Sequence, residues 1–355
     1  MKVKGTNVNI KASGRIYTHD EVVYLNYSCT SLEFDCISQK VSVRLWTDGN
    51  QGEKMFQARM AVFINYEEEP SKRFILEETE KDYILYESST SQKVHIKLMK
   101  LSEAAFSKVA VKEFDIVGEI VPLEIQAKAH KIEFIGDSIT CGYGIEGIWN
   151  KDTFTTHQED PWKAYAARTA RYFDADFHLI SWSGIGIISS WTDNGELNNE
   201  WVMPMLYPYT DRGLENTLQH KVYEKWDFNK FKPDCIVVNL GTNDKSYTGE
   251  NKQLIDAFGE KYYEFLKVIR ENNPQAMIIC TLGVMGQELL PEINKQVARF
   301  SLEQKDSKII AMPFEMQEEK DGIGADWHPS EKTHQKMTAQ LVETIGTVMH
   351  WEKAK

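Results

Sequence analysis

The apolar residues change their periodicity once along this chain, near residue 125, and that change limits the folds open to it. Before it, apolar residues alternate with polar ones. In "VSVRLW", Val41, Val43 and Leu45 share one face, opposite Ser42 and Arg44. In "VHIKLMKL", Val94, Ile96 and Leu98 oppose His95 and Lys97. "MAVFINY" and "RFILEE" read the same way, and polar turns such as "TDGNQGE" and "YEEEPSK" separate the runs. Period-two strands of this length predict an antiparallel β-sandwich, of the jelly-roll kind at this size. After residue 130, four short and nearly continuous apolar runs appear: "KIEFIG", "DFHLISWSG", "DCIVVNLG" and "AMIICTLG". Such strands are buried on both faces and belong to a parallel sheet.

Helical patterns separate these runs. "PWKAYAARTARYF" opens with Pro161 at a first-turn position. "QLIDAFGEKYYEFLKVIRENNP" places Leu254, Phe258, Tyr262, Phe265 and Ile269 on one stripe and stops at Pro274. Ser330 caps a last helix running to about Trp351. Strands alternating with helices make a doubly wound α/β domain. The expected organisation is therefore a β-sandwich over 1–127 and an α/β domain over 128–355.

In a doubly wound sheet, sites form at the carboxyl ends of the strands. "GDS" follows the first strand, "SWSGIG" the second and "GTND" the third, while "GADWHPS" precedes the last helix. One sheet edge would then gather Ser138, Gly184, Asn243 and His328. A serine hydroxyl needs a base within hydrogen-bond reach to act as a nucleophile at pH 7, and His328 is the candidate base. Acyl transfer also builds negative charge on a carbonyl oxygen. The backbone N–H groups of Ser138 and Gly184 and the side-chain amide of Asn243 are three donors suited to it. The nearest acid to the histidine in sequence is Asp326. Asp137 and Asp244 are read as carboxylates that tie their own loops through backbone N–H groups.

Taken in order, "GDSIT", the glycine of "SWSGIG", "GTND" and "DWHPS" resemble the four blocks of the GDSL/SGNH hydrolases. With a β-sandwich in front, the whole chain resembles carbohydrate esterase family 2, two-domain deacetylases of plant polysaccharides that include acetyl xylan esterases. The resemblance implies Ser138 as nucleophile, His328 as base, and Gly184 and Asn243 completing the oxyanion hole. Such enzymes commonly carry a third triad member three residues before the histidine, where this chain has Ala325. Either Asp326 bends to reach the imidazole, or a main-chain carbonyl orients it.

The function expected is a serine esterase that removes O-acetyl groups from hemicellulose-derived carbohydrates, with a lean toward 6-O-acetyl hexoses implied by the resemblance. A lipid or thioester acylhydrolase, and a carbohydrate-binding protein with an inactive hydrolase domain, are the alternatives. Trp191 and Trp327 are candidates for stacking on a sugar ring. Trp162, Trp182 and Trp226 are read as core. The irregular stretch from Trp191 to Tyr223 is long enough to suggest a functional loop walling the acceptor side.

Composition closes other routes. A net charge of −12 argues against nucleic-acid and anionic-membrane partners. The nine histidines form no HxH or HExxH pair, and the glycines match no dinucleotide or P-loop pattern, so neither metal nor cofactor is expected. The five cysteines have no metal-ligand spacing; Cys235 and Cys280 lie in apolar runs and read as core residues, Cys141 is read as packing, and the pattern suits a reducing compartment. "MKVKGTNVNIKASGR" has no apolar h-region, which read by itself predicts a cytoplasmic enzyme acting on short imported sugars, or a secreted one if a leader was trimmed. A homo-oligomer formed through the sandwich is a further expectation.

Overall fold

In the computed structural model of the protein, residues 1–49, 52–124, 127–218 and 224–354 are described. The chain forms two compact units. The first comprises Met1–Ala127 with Thr155–Glu159 and Thr210–Glu224; the second comprises Lys128–Phe154, Asp160–Tyr209 and Lys225–Lys355.

The first unit is built on strands β1 (Lys2–Val3), β2 (Lys11–Ser13), β3 (Tyr17–His19), β4 (Val22–Leu25), β5 (Ser31–Thr47), β6 (Arg59–Ile64), β7 (Lys72–Ile75), β8 (Glu80–Lys100) and β9 (Val109–Val121). They form one curled antiparallel sheet, in the order β3-β4-β9-β5-β8-β6-β7, with β1 and β2 at the side. β5 and β8 are too long to stay flat. Their pairing slips between Ser38 and Lys40 and again between Val41 and Ser42, and such bulges bend a strand and increase its twist. The alternating apolar face points inward: Val41, Val43, Leu45, Val94, Ile96 and Leu98 are buried in one core with Phe34 and Phe114. His95 departs from the alternation. Although it lies on the opposite face, it is buried, because Tyr66 stacks on it at 3.9 Å and Asp35 Oδ1 lies 2.8 Å from its Nδ1.

Two segments from later in the sequence complete this unit. Thr156 Oγ1 donates to Gln57 O at 2.6 Å, and Thr217 Oγ1 donates to Asp48 Oδ2 at 2.6 Å. The stretch expected to wall a site is thus divided. Its first part, to Tyr209, stays with the second unit and its later part joins the first, while 219–223 lie outside the described residues.

The second unit has five parallel strands: β10 (His130–Gly136), β11 (Ala175–Ser181), β12 (Cys235–Asn239), β13 (Met277–Gly283) and β14 (Ile309–Phe314), in the order β11-β10-β12-β13-β14. The first four are the apolar runs read from the sequence. The fifth, "IIAMPF", was not anticipated: Pro313 lacks a ladder donor, and the strand's neighbours alternate too little to stand out. Its helices are α1 (Ser138–Cys141), α2 (Tyr165–Tyr172), α3 (Met203–Leu206), α5 (Asp244–Thr248), α6 (Lys252–Asn272), α7 (Leu290–Glu303) and α8 (Glu331–Met349); α4 (Leu214–Leu218) belongs to the first unit. α2 starts one turn later than the proline suggested, since Asp160 Oδ1 accepts from Trp162 N and holds Pro161–Ala164 in a turn. α6 buries Phe258, Tyr262, Phe265 and Ile269, leaving Leu254 half-buried, and Asn251 caps its start. α8 is capped by Ser330, whose Oγ accepts from Thr333 N at 3.3 Å. Trp162 and Trp226 are core residues, while Trp182 is only half-buried and pairs with Trp201.

Candidate active site

The register of the parallel sheet assembles the site. Gly136, the last residue of β10, pairs with Ser181 of β11 and Asn239 of β12. Ser138, Gly184 and Asn243 follow those three positions within a few residues, so all three lie at the carboxyl edge of adjacent strands. Ser138 opens α1. The Asp137 carboxylate caps that helix by accepting from Ile139 N at 3.0 Å, which sets the serine at the turn. Ser138 is buried, with 7% of its surface exposed.

His328 comes to this edge from the loop between β14 and α8. Two glycines make the approach possible. Gly144, with φ +67°, accepts from Ala325 N at 3.0 Å, and a Cβ on it would sit 2.7 Å from Ala325 O. A Cβ on Gly324 would sit 2.4 Å from Gly144 O. The nucleophile turn and the histidine loop therefore dock backbone to backbone, with no room for side chains between them. Gly324 N also donates to His328 O at 2.8 Å, closing the histidine loop on itself.

The result is a hydrogen-bonded pair. Ser138 Oγ and His328 Nε2 are 2.8 Å apart. The other ring nitrogen, Nδ1, is 3.0 Å from the main-chain oxygen of Asp326. A neutral imidazole with its proton on Nδ1 donates to that carbonyl and accepts from the serine hydroxyl, the tautomer a general base requires. Of the two arrangements left open by the sequence, the carbonyl is the one in contact. The carboxylate of Asp326 instead accepts from Tyr143 Oη at 2.9 Å. Asp326 and Trp327 both have left-handed backbones, with φ of +50° and +64°, and this turns the Asp326 carbonyl toward the ring. Burial of the imidazole holds its pKa down, from the usual 6.5 to about 4, against the opposing pull of the Asp326 carbonyl and carboxylate. It is therefore uncharged and able to take a proton at neutral pH.

Around the serine, the second and third turns are tied together by "GTND". Asn243 Nδ2 donates to Ile185 O at 2.8 Å and stands 3.4 Å from Asp137 Oδ2. The buried Asp244 carboxylate accepts from the N–H groups of Ile187, Ile188 and Ser189 at 2.7–3.2 Å. Burial raises its pKa to about 6, and those N–H groups hold it from rising further. Asn243 and Asp244 thus pin the turn that presents Gly184. Gly184 has φ +75°, and its carbonyl accepts from Trp191 N at 2.7 Å.

Trp191 is 58% exposed and stands on the Gly184 side, while Trp327 is 39% exposed beside His328. Trp149, which the sequence did not single out, packs edge-on against Trp327 at 4.3 Å. Tyr143 was also missed. Its ring lies 4.3 Å from His328 and is stacked on Phe154. Neither residue carries a motif signal; Tyr143 merely lies five residues beyond the serine, within "GDSITCGYG".

Comparison with known proteins agrees with this geometry. Residues 132–341 match the GDSL-like lipase/acylhydrolase family, and residues 12–123 match the carbohydrate esterase 2 N-terminal domain. Over 261 residues the chain is 35% identical to the cellulase/esterase CelE of Acetivibrio thermocellus, covering 72% of this chain but only 30% of that longer protein. It is 22% identical over 353 residues to an acetylxylan esterase / glucomannan deacetylase of Cellvibrio japonicus, covering 98% of this chain and 91% of that one. Among solved structures, a family two carbohydrate esterase from Clostridium thermocellum in complex with cellohexaose superposes with a TM-score of 0.84 at 29% identity, covering 96% of this chain and 99% of that one. With one match spanning more than half of the chain and the other most of the sheet that precedes it, this protein belongs to the GDSL-like lipase/acylhydrolase family and, within it, to carbohydrate esterase family 2.

Proposed function

We propose that this protein is a serine esterase that removes O-acetyl groups from hemicellulose-derived carbohydrates. The observation that carries the reading is the 2.8 Å contact between Ser138 Oγ and His328 Nε2 at the carboxyl edge of the sheet. In the first half-reaction, Ser138 Oγ attacks the acetyl carbonyl while its proton passes to His328 Nε2. The tetrahedral oxyanion is met by the N–H groups of Ser138 and Gly184 and by Asn243 Nδ2. His328 returns the proton to the departing sugar oxygen, leaving an acetyl group on Ser138. In the second half, a water gives its proton to His328 and attacks the acetyl-enzyme, and His328 passes that proton to Ser138 Oγ as acetate leaves. Asp326 contributes its peptide carbonyl, which holds the imidazole in the right tautomer.

Carbohydrate as the substrate class is supported by the names of the relatives, an acetylxylan esterase / glucomannan deacetylase and a carbohydrate esterase bound to cellohexaose. In this chain, Trp191 beside Gly184 and the Trp327–Trp149 pair next to His328 offer exposed aromatic side chains, suited to the C–H faces of pyranose rings. The deciding experiment is acetate release from acetylated xylan and glucomannan oligosaccharides, wild type beside Ser138→Ala, with para-nitrophenyl esters from acetyl to octanoyl. Turnover confined to short acyl groups and abolished in Ser138→Ala is expected. Preference for long acyl chains would replace the substrate class with lipids. Oligosaccharide binding without turnover in either protein would mean a binding protein.

A further inference from the structure

The Asp326 carboxylate stands beside the histidine and yet is turned away from it. We propose that Tyr143 is a positioning residue, whose hydroxyl holds the Asp326 carboxylate aside so that the Asp326 peptide carbonyl meets His328 Nδ1. This rests on the reading of Ser138 and His328 as the hydrolytic pair.

The loop that carries Asp326 is strained. Two successive residues with side chains, Asp326 and Trp327, adopt left-handed backbones. Each such residue carries a steric penalty, and the conformation persists only where its surroundings impose it. Gln317 Nε2 fixes the Trp327 carbonyl at 2.7 Å, and His328 N donates to Ala325 O at 3.1 Å. The Asp326 side chain is held by Tyr143 Oη at 2.9 Å. Tyr143 is itself well anchored: it is buried, its ring is stacked on Phe154 at 3.4 Å, and its N–H donates to Ser138 O at 3.1 Å. One residue therefore links the nucleophile turn, through its backbone, with the imidazole and with the residue whose carbonyl orients that imidazole, through its side chain.

This linkage has a chemical consequence. The donor on Nδ1 meets a neutral carbonyl, and the negative charge of Asp326 is directed to a phenol. If the tie were cut, the Asp326 peptide would be free to leave its left-handed conformation and the Nδ1 hydrogen bond would lose its fixed acceptor. Because the Tyr143 hydroxyl is engaged with the Asp326 carboxylate, removing it should affect turnover rather than substrate affinity.

The test uses Tyr143→Phe, Asp326→Ala, the double variant and Asp326→Asn. Each is assayed for kcat and KM on para-nitrophenyl acetate, with thermal melts and the NMR signal of the His328 Nδ1 proton. Tyr143→Phe and Asp326→Ala are each expected to lower kcat by about tenfold, the scale of a modest misplacement of a catalytic group, with KM little changed. Their double variant should be no worse than either, since both cut one link. Asp326→Asn keeps an acceptor for the phenol and should recover most of the loss. Wild-type kcat in Tyr143→Phe, or a multiplied loss in the double variant, would overturn the proposal. So would a loss of about 10⁴ in Asp326→Asn, which would mean that the carboxylate acts directly. If wild type hydrolyses no ester, the esterase reading fails on its own. The NMR signal still decides this inference: a sharp Nδ1 proton in wild type that broadens in Tyr143→Phe supports it, and identical signals refute it.

Discussion

Replacing Asn243 by alanine tests the oxyanion hole and separates catalysis from folding. The Asn243 amide has two hydrogens. One is committed to Ile185 O, 2.8 Å from Nδ2, and the other has only Asp137 Oδ2, 3.4 Å from Nδ2 and too far for a strong bond. That second hydrogen is the one open to a developing oxyanion. Removing a donor of this kind costs about 3 kcal/mol in the transition state, which is roughly a 150-fold fall in kcat. The first hydrogen has a structural role. Ile185 is buried, so its carbonyl would lose its partner at a cost of about 1 to 3 kcal/mol of stability. Alanine should therefore lower both kcat and Tm. Asn243→Asp has nearly the same shape, but it replaces the donor with an acceptor and sets a second carboxylate against Asp137, so its kcat should fall further than alanine's. The assay is steady-state acetate release with a thermal melt of each variant, and KM should change little. A threefold or smaller loss of kcat in Asn243→Ala, with Tm lowered as expected, would refute the placement of this amide at the oxyanion.

The acid limb of kcat/KM reports the free enzyme's histidine and should lie near pH 4 instead of 6.5, with a shallower step near pH 6 as Asp244 takes up a proton and loosens the Gly184 turn. Asp244→Asn should remove only that upper step, and a single limb at 6.5 would contradict the burial argument. The same depression of His328 predicts that its contribution to stability is intact above pH 6.5 and is lost as pH falls toward 4, because the unfolded chain gains a proton there that the folded chain refuses. Gly144→Ala would force a Cβ to within 2.7 Å of Ala325 O at φ +67°; a loss of roughly 2 kcal/mol or more is expected, read as a Tm several degrees lower and reduced turnover together. Trp327→Ala should raise KM for acetylated oligosaccharides several-fold while leaving para-nitrophenyl acetate nearly unaffected, and equal effects on both substrates would argue against a sugar platform.

The site was legible in the sequence to the extent that it depends on sheet topology. Strands that run parallel all end on one side of the sheet, so the turn after every strand lies at one edge. Ser138, Gly184 and Asn243 could therefore be grouped once "KIEFIG", "DFHLIS" and "CIVVN" were recognised as neighbouring strands. Asp137 was legible for a similar reason, since it accepts from Ile139 N in its own turn; Asp244 was not, because its carboxylate ties the Ile187–Ser189 turn of a distant segment and not its own loop. Tyr143 and Trp149 were not, because they meet Asp326 and Trp327 across more than 170 residues and no local pattern marks such a contact. The limits of the first unit were also out of reach. Thr156 and Thr217 join it through hydrogen bonds to Gln57 and Asp48 that leave no periodic trace.

The sequence by itself determined the two fold classes, the order of the four polar turns, and a serine, a glycine, an asparagine and a histidine at one edge. These follow from apolar spacing and from strand-end geometry, both of which act over a few residues. Only the tertiary structure decided which oxygen of Asp326 serves the histidine. That choice depends on two left-handed residues, on a phenol in the nucleophile turn, and on Gly144 and Gly324 allowing two backbones to touch. Forces of this kind act between segments distant in the chain, and they exist only once the sheet has brought those segments together.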